Sequence, residues 1–260
     1  MKDSTSLKNN KYLYISLGVL AIFLIWLFAS LMVNNDIIVP KVSVVFNTLF
    51  HLFALGSTYK IILFTLIRVI IAILLGMIFG IILGILSALY KWFYYFISPF
   101  IKIMRVLPVA SIILIILIMF GQRGFGSDIT FAPIIVSLLL IIPLVFEVVY
   151  RGITNIDQDL IDVARLDAKG KTSLVFHAYL PLIKNEIEIA LYQSIGLGIK
   201  VMVMAEYISQ TQTSIGKALL DAKTYLEYDD VYAWTIILIL LCLVIEGITY
   251  ILRKRVETNK

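Results

Sequence analysis

Six long, mostly apolar runs leave this chain with more oily surface than a soluble fold of its size could bury. They fall at residues 13–33, 61–89, 106–120, 131–150, 187–208 and 231–252. A helix needs about 20 apolar residues, at roughly 1.5 Å rise each, to cross a bilayer core. Five runs meet that length, and the third does so only if it begins in the SPFIKIMR segment before it. Hydrophobic residues make up 61% of the 260, charged residues 15%, and the mean hydropathy is +0.99, so the chain is expected to dissolve in lipid as a single polytopic domain. An all-α membrane protein with about six spans is the fold class this implies.

The basic residues orient those spans. Lys2, Lys8, Lys11, Lys91, Lys102, Arg105, Arg151, Arg165, Lys169, Lys171, Lys184, Arg253, Lys254 and Arg255 would all fall on one side. By the excess of Lys and Arg in cytoplasmic loops, that side is the cytoplasm, and it holds both termini. The last loop on the opposite side is acidic, with Asp221, Glu227, Asp229 and Asp230. The net charge of +5 then reflects basic loops beside anionic lipid and calls for no nucleic-acid partner.

Several chemistries find no support in the residues. The first apolar run is longer than a signal-peptide core and has no clear small-x-small cleavage site, so it reads as an uncleaved span. The single cysteine, Cys242, cannot form an internal disulfide, and His51 and His177 stand too far from other ligands for a zinc site. Gly170-Lys171-Thr172 resembles the end of a phosphate-binding loop, but Arg165 occupies the position of that loop's first glycine. No nucleotide site, metal or cofactor is therefore expected in this chain, and any ATP and magnesium would be bound by a partner.

Within the second run, Gly76, Gly80 and Gly84 recur every four residues and so share one helix face, which permits close helix packing. Pro108 and Pro143 each remove a helical hydrogen bond, as a kink or a pathway would require. The most polar interruption, residues 162–181, reads DVARLDAKGKTSLVFHAYLP. Asp157 is placed to cap a helix through about Ala168, with Leu160, Ile161, Val163 and Ala164 as its apolar side. Gly170 suits the helix end, and Thr172 is placed to cap a second short helix ending by Leu180-Pro181. Two short amphipathic helices of this kind form a knob that either fits a partner's groove or lies on the lipid headgroups through Arg165, Lys169 and Lys171.

This loop resembles the cytoplasmic signature of permease subunits of binding-protein-dependent ABC importers, which reads Glu-Ala-Ala, three residues, Gly, nine residues, Ile, one residue, Leu-Pro. Aligned on Leu180-Pro181, the Glu falls at Asp162, the alanines at Val163 and Ala164, the Gly at Ala168 and the Ile at Ala178. Because alanine replaces the glycine at Ala168, Gly170 is expected to supply the positive-φ turn. Pro40 with Ser43, residues 65–86, 98–121, 203–208 and 214–222 are similar to the branch of nitrate, sulfonate and taurine permeases, which includes transporters of thiamine pyrimidine precursors.

The resemblance implies a type I ABC importer permease in the bacterial plasma (inner) membrane, with an N-terminal span and outer loop over 1–60, a five-span core over 61–252 and a coupling loop over 151–186. Its implied partners are a second permease subunit, commonly identical, an ATP-binding subunit gripping the loop, and an extracytoplasmic substrate-binding protein. The chain itself would be a path for a small anionic or heterocyclic solute and not an enzyme. Charged residues in the spans then become candidates for the path or gate. Arg68 lies some two turns from the outer end of its span, close enough for its stem to reach outward. Lys200 is nearer mid-membrane. Glu206, six residues on and so on another face, is a gate or an anchor, and Pro108 joins the set. Glu147 and Glu246, near cytoplasmic ends, are expected to meet water or loop lysines. A secondary transporter or channel independent of ATP would use the same spans but predicts an internal inverted repeat, which the sequence lacks.

Overall fold

The computed structural model describes residues 3–33, 35, 38–121, 131–167 and 170–258. Among these, the regular elements are helices. In chain order they are α1 (Asp3–Val33), α2 (Val42–Ala54), α3 (Gly56–Leu89), α4 (Lys91–Val106), α5 (Val109–Gly121), α6 (Ala132–Thr154), α7 (Gln158–Asp167), α8 (Lys171–Leu174), a π-helical turn (Val175–Tyr179), α9 (Leu180–Leu182), α10 (Lys184–Ser209), α11 (Ile215–Thr224) and α12 (Tyr228–Thr258). Among the described residues, α1, α3, α6, α10 and α12 each contain a stretch long and apolar enough to cross a membrane.

The third apolar run departs from the short span expected over 106–120. It is a broken pair, α4 and α5, bent by 105°. Pro108 disfavours helical geometry at Leu107, whose φ of −62° and ψ of 130° are extended, and the Pro108 carbonyl then accepts the Ile112 N–H to begin a new helix. Counting the pair as one span gives six. Pro143 behaves differently, since α6 runs through it without a break.

Residue contacts form two compact units, Met1–Thr58 with Asp221–Leu238, and Tyr59–Leu220 with Ile239–Lys260. In the first, no residue of the apolar stretch Ser16–Val33 is fully buried, as suits a helix with most of its surface toward lipid. Trp26 of α1 stacks on Tyr232 with ring centroids 5.7 Å apart. The Thr48 hydroxyl donates to Asp229 Oδ2 at 2.7 Å, tying α2 to the start of α12.

The second unit is built around α6. Its Ile141, Val145 and Val149, four residues apart, are fully buried and face the glycines of α3. A Cβ on Gly76 would lie 2.5 Å from Ile141 Cγ2, one on Gly80 2.5 Å from Val145 Cβ, and one on Gly84 2.9 Å from Val149 Cβ. Gly80 and Gly84 also sit close to the carbonyls of Ile142 and Phe146, so backbone as well as side chain fills the space. In lipid there is little hydrophobic gain in joining two apolar helices, and close van der Waals contact takes its place. The third member, α10, packs along α6, and its Gly198 meets Ile73 and Ile141, so α3, α6 and α10 converge there.

Overpacking this seam is expected to cost about 1–3 kcal/mol per inserted side chain. Gly80→Leu should lower the unfolding midpoint of the protein in detergent more than Gly18→Leu does, because nothing lies within 4 Å of a Cβ at Gly18. Equal midpoints for the two variants would show that the seam does not carry stability.

Candidate functional site

Arg68 does not reach outward. It is 5% exposed, and its guanidinium forms an ion pair with Glu206, 2.9 Å from Nη1 to Oε1. Glu206 is completely buried. Arg68 stands one turn after Thr65 on α3, so both side chains project from one face toward the end of α10. The Thr65 hydroxyl lies 2.9 and 3.1 Å from the two Glu206 oxygens and accepts the Ile215 N–H at 3.1 Å. Arg68 also donates to the carbonyls of Thr213, from Nη1, and Gln212, from Nη2, both at 3.2 Å. Gly216 N–H faces Glu206 Oε2 at 3.4 Å, and a Cβ on Gly216 would strike the backbone of Glu206 and Tyr207.

The segment between α10 and α11 is shaped to be held this way. Gln210 ends α10 in the left-handed region at φ 53°, and Thr213 repeats that conformation at φ 50°. Ser214 caps α11, its hydroxyl accepting the Lys217 N–H at 3.0 Å, while Ser209 and Thr211 hydroxyls lie 2.7 Å apart. Arg68 and Glu206 thus bond to each other within the protein, and through the Gln212 and Thr213 carbonyls Arg68 holds the α10–α11 turn. Thr65, Gln212, Thr213 and Gly216 do not stand out in the sequence. The Thr65 to Arg68 spacing and the polar run SQTQTS before a helix are the signals that could have found them.

The other charged candidates separate from this anchor. Lys200 is exposed near the middle of α10, while Glu206 points inward from another face of the same helix. Glu147 meets arginines rather than loop lysines. It pairs with Arg105 of α4 at 3.4 Å and accepts a hydrogen bond from Arg151 one turn on. Arg105, Pro143, Glu147, Gln193 and Leu197 line part of a cavity of about 320 Å³, so Pro143 borders open space while Pro108 marks the α4–α5 bend.

The polar loop forms a small helical layer against this unit. The Asp157 carboxylate accepts the Asp159 N–H at 3.2 Å and caps α7. Ala168 lies outside the described residues. Gly170 has φ 148°, a conformation that side chains disfavour, and its carbonyl accepts the Leu174 N–H. The second helix begins at Lys171, so Thr172 is inside it and is not its cap. It passes through a π-helical turn, in which the Leu180 N–H donates to the Val175 carbonyl five residues back, and continues to Leu182 beyond Pro181. Because Pro181 has no N–H to donate, the wider turn just before it fits the sequence.

The apolar residues of α7 do not share one side. Ile161 is buried in the core with Leu174, Ala178, Tyr179 and Ile183, and Ala164 packs against it. Leu160, Val163 and Leu166, three residues apart, face away, and Leu166 is 85% exposed. Phe176 is exposed beyond them, and Asp162 pairs with Arg165 at 2.9 Å. Leu180 is half-buried and Pro181 exposed.

A bundle of apolar spans carrying such a helical excursion has the build of a polytopic integral-membrane protein. Residues 76–258 match the family of binding-protein-dependent transport system inner membrane components, and the chain belongs to that family. It is therefore a multi-pass inner-membrane permease component of an ABC importer. A putative ABC transporter permease protein of Methanocaldococcus jannaschii is 29% identical over 259 residues, covering 96% of this chain and 94% of the relative. Among solved structures, a bacterial ABC transporter involved in import of the acidic polysaccharide alginate matches with a TM-score of 0.68 and 18% identity, over 96% of this chain and 98% of that one. An amino acid ABC transporter crystallised with histidines matches with a TM-score of 0.64 and 17% identity, over 76% and 93% of the two chains. The shared fold is that of type I ABC importer permeases.

Removing one member of the buried ion pair should strand the other, at about 3–5 kcal/mol. Arg68→Met is expected to unfold at markedly lower temperature in detergent, and the Arg68→Met/Glu206→Gln double variant to lose clearly less than the two singles added together. Strict additivity would remove the pairing as the source of stability.

Proposed function

We propose that this chain forms, with a second copy of itself, the membrane path of an importer whose ATP-binding subunits grip the α7–α9 loop on the cytoplasmic side. An extracytoplasmic binding protein would deliver the solute to the other face. The observation that carries this reading is the outward apolar stripe of Leu160, Val163 and Leu166, because exposed aliphatic residues on a polar loop gain free energy when a partner covers them. Ile161 and Ala164, on the opposite face of α7, tie the helix to the core, so a pull on the stripe would be transmitted to α6 and α10. ATP-driven closure of the gripping subunits would then shift the bundle between two states, and hydrolysis would be the partner's chemistry.

For the solute, a small anion of the nitrate, sulfonate or taurine kind is the reading supported by the charges. Lys200 is a cation near mid-span on an exposed face, and Arg68 is withdrawn from that role by Glu206. A cation at that depth needs water or protein around it, which a path between two permease copies supplies.

Two variants separate the roles of α7. Leu166→Asp, on the exposed stripe, should insert and fold normally yet lose co-purification of the ATP-binding subunit and its solute-stimulated ATPase. Retained association in Leu166→Asp and Val163→Asp would sink the grip assignment. For the path, Lys200→Gln should reduce anion uptake about tenfold or more, the loss expected for a charge-assisted contact of roughly 1.5–3 kcal/mol, with no change in unfolding temperature. Unchanged uptake would take Lys200 out of the path.

A further inference from the structure

α4 has three sides, and only one of them is used inside the protein. Its sequence, KWFYYFISPFIKIMRV, contains no acidic residue. The inner side holds Tyr94, which stacks on Tyr150 of α6 with centroids 4.5 Å apart, then Ile101, which is buried, and Arg105, which pairs with Glu147. The outer side presents Trp92, Phe96, Phe100, Ile103 and Val106, which step along one helix face at intervals of four, four, three and three and are all exposed. Along the flank between them run Lys91 and Lys102, eleven residues or three turns apart. Both are exposed, and neither enters an ion pair among the described residues.

We infer that α4 lies in the plane of the membrane interface, with its aromatic face in the acyl chains and its lysine flank on anionic phospholipid headgroups. Three observations combine. The 105° bend against α5 turns α4 across the direction in which the adjoining apolar helix runs. An apolar face with a basic flank and a cluster of Trp, Tyr and Phe is the composition of helices that rest at the headgroup level, where amphipathic rings are favoured. The absence of any carboxylate on α4 leaves two lysines whose charge is complemented by lipid phosphate and by no group on their own helix. A second copy of the chain would instead have to bring acidic residues to that flank and aromatic cover to the whole outer face. The basic flank also ends beside Arg105, whose partner Glu147 contacts Arg151 at the entrance to the polar loop, so headgroup charge would bear on the element that feeds that loop.

The test uses the full-length protein in vesicles. In a Trp26→Phe/Trp234→Phe background, Trp92 fluorescence is measured with lipids brominated near the headgroup or near the chain end. Quenching stronger for the shallow label is expected, and quenching stronger for the deep label, or by neither, would overturn the proposal, the latter pointing to protein cover. In parallel, the preference of the unlabelled protein for spin-labelled phosphatidylglycerol over phosphatidylcholine is compared with that of Lys91→Gln/Lys102→Gln and Lys91→Arg/Lys102→Arg. The Gln pair should reduce that preference at least about fivefold, one lysine's share of roughly 1 kcal/mol, and the Arg pair should keep it. An unchanged preference in the Gln pair would refute headgroup binding whether or not Trp92 is shallow.

Discussion

The close approach of α3 to α6 fixes where the other elements of the larger unit can sit. With glycine at 76, 80 and 84, Ile141, Val145 and Val149 can press into the α3 backbone, and a side chain at any of these glycines would force the helices apart. The same approach brings α3 beside α10, since Ile73 and Gly198 are neighbours there. Only then can Arg68 reach Glu206. A charge pair at bilayer depth is tolerable because each member is neutralised and hydrogen-bonded by the other and by Thr65 and the 212–216 backbone. The tight seam and the buried pair therefore depend on each other: van der Waals contact sets the distance, and the ion pair fixes the α10–α11 turn at its end.

Toward the polar loop, burial divides residues that look alike in composition. Ile161 and Val163 are both β-branched and two positions apart, yet one joins the core and the other faces outward. A helix with one polar and one apolar face has both satisfied, by water on one side and by its own core on the other. A helix apolar on both faces, dry on one through its own chain and uncovered on the other, has an unmet requirement. That requirement is what ties α7 to a protein partner in the proposed function, and the aromatic face of α4 has the same kind of requirement, met by lipid.

The charged residues show how far spacing alone can mislead. Arg68 is the only charge in its run, which makes outward snorkelling the natural expectation, and Glu206 is six residues from Lys200 and has no partner within its own helix. Neither fact points to the other, because the pairing joins residues 138 apart in the chain. Glu147 lies one turn from Arg151, a pairing that spacing does show, but it comes within reach of Arg105 only because α4 packs along α6.

By itself the sequence determined that the chain is a polytopic helical membrane protein, because lipid allows only helices and closed barrels, and continuous apolar runs of about 20 residues fit helices where barrel strands alternate. It also placed the polar loop, the Asp157 cap and the glycine stripe, since capping and helical periodicity are local properties. Where the third run breaks was half legible, in Pro108, but the 105° bend needed the packing of α4 on α6. Only the tertiary structure decided which face of α7 is buried, that Arg68 and Glu206 neutralise each other, and that Lys200 remains exposed. Those outcomes depend on helix rotations, and in a chain apolar on nearly every side, rotation is set by contacts between distant segments.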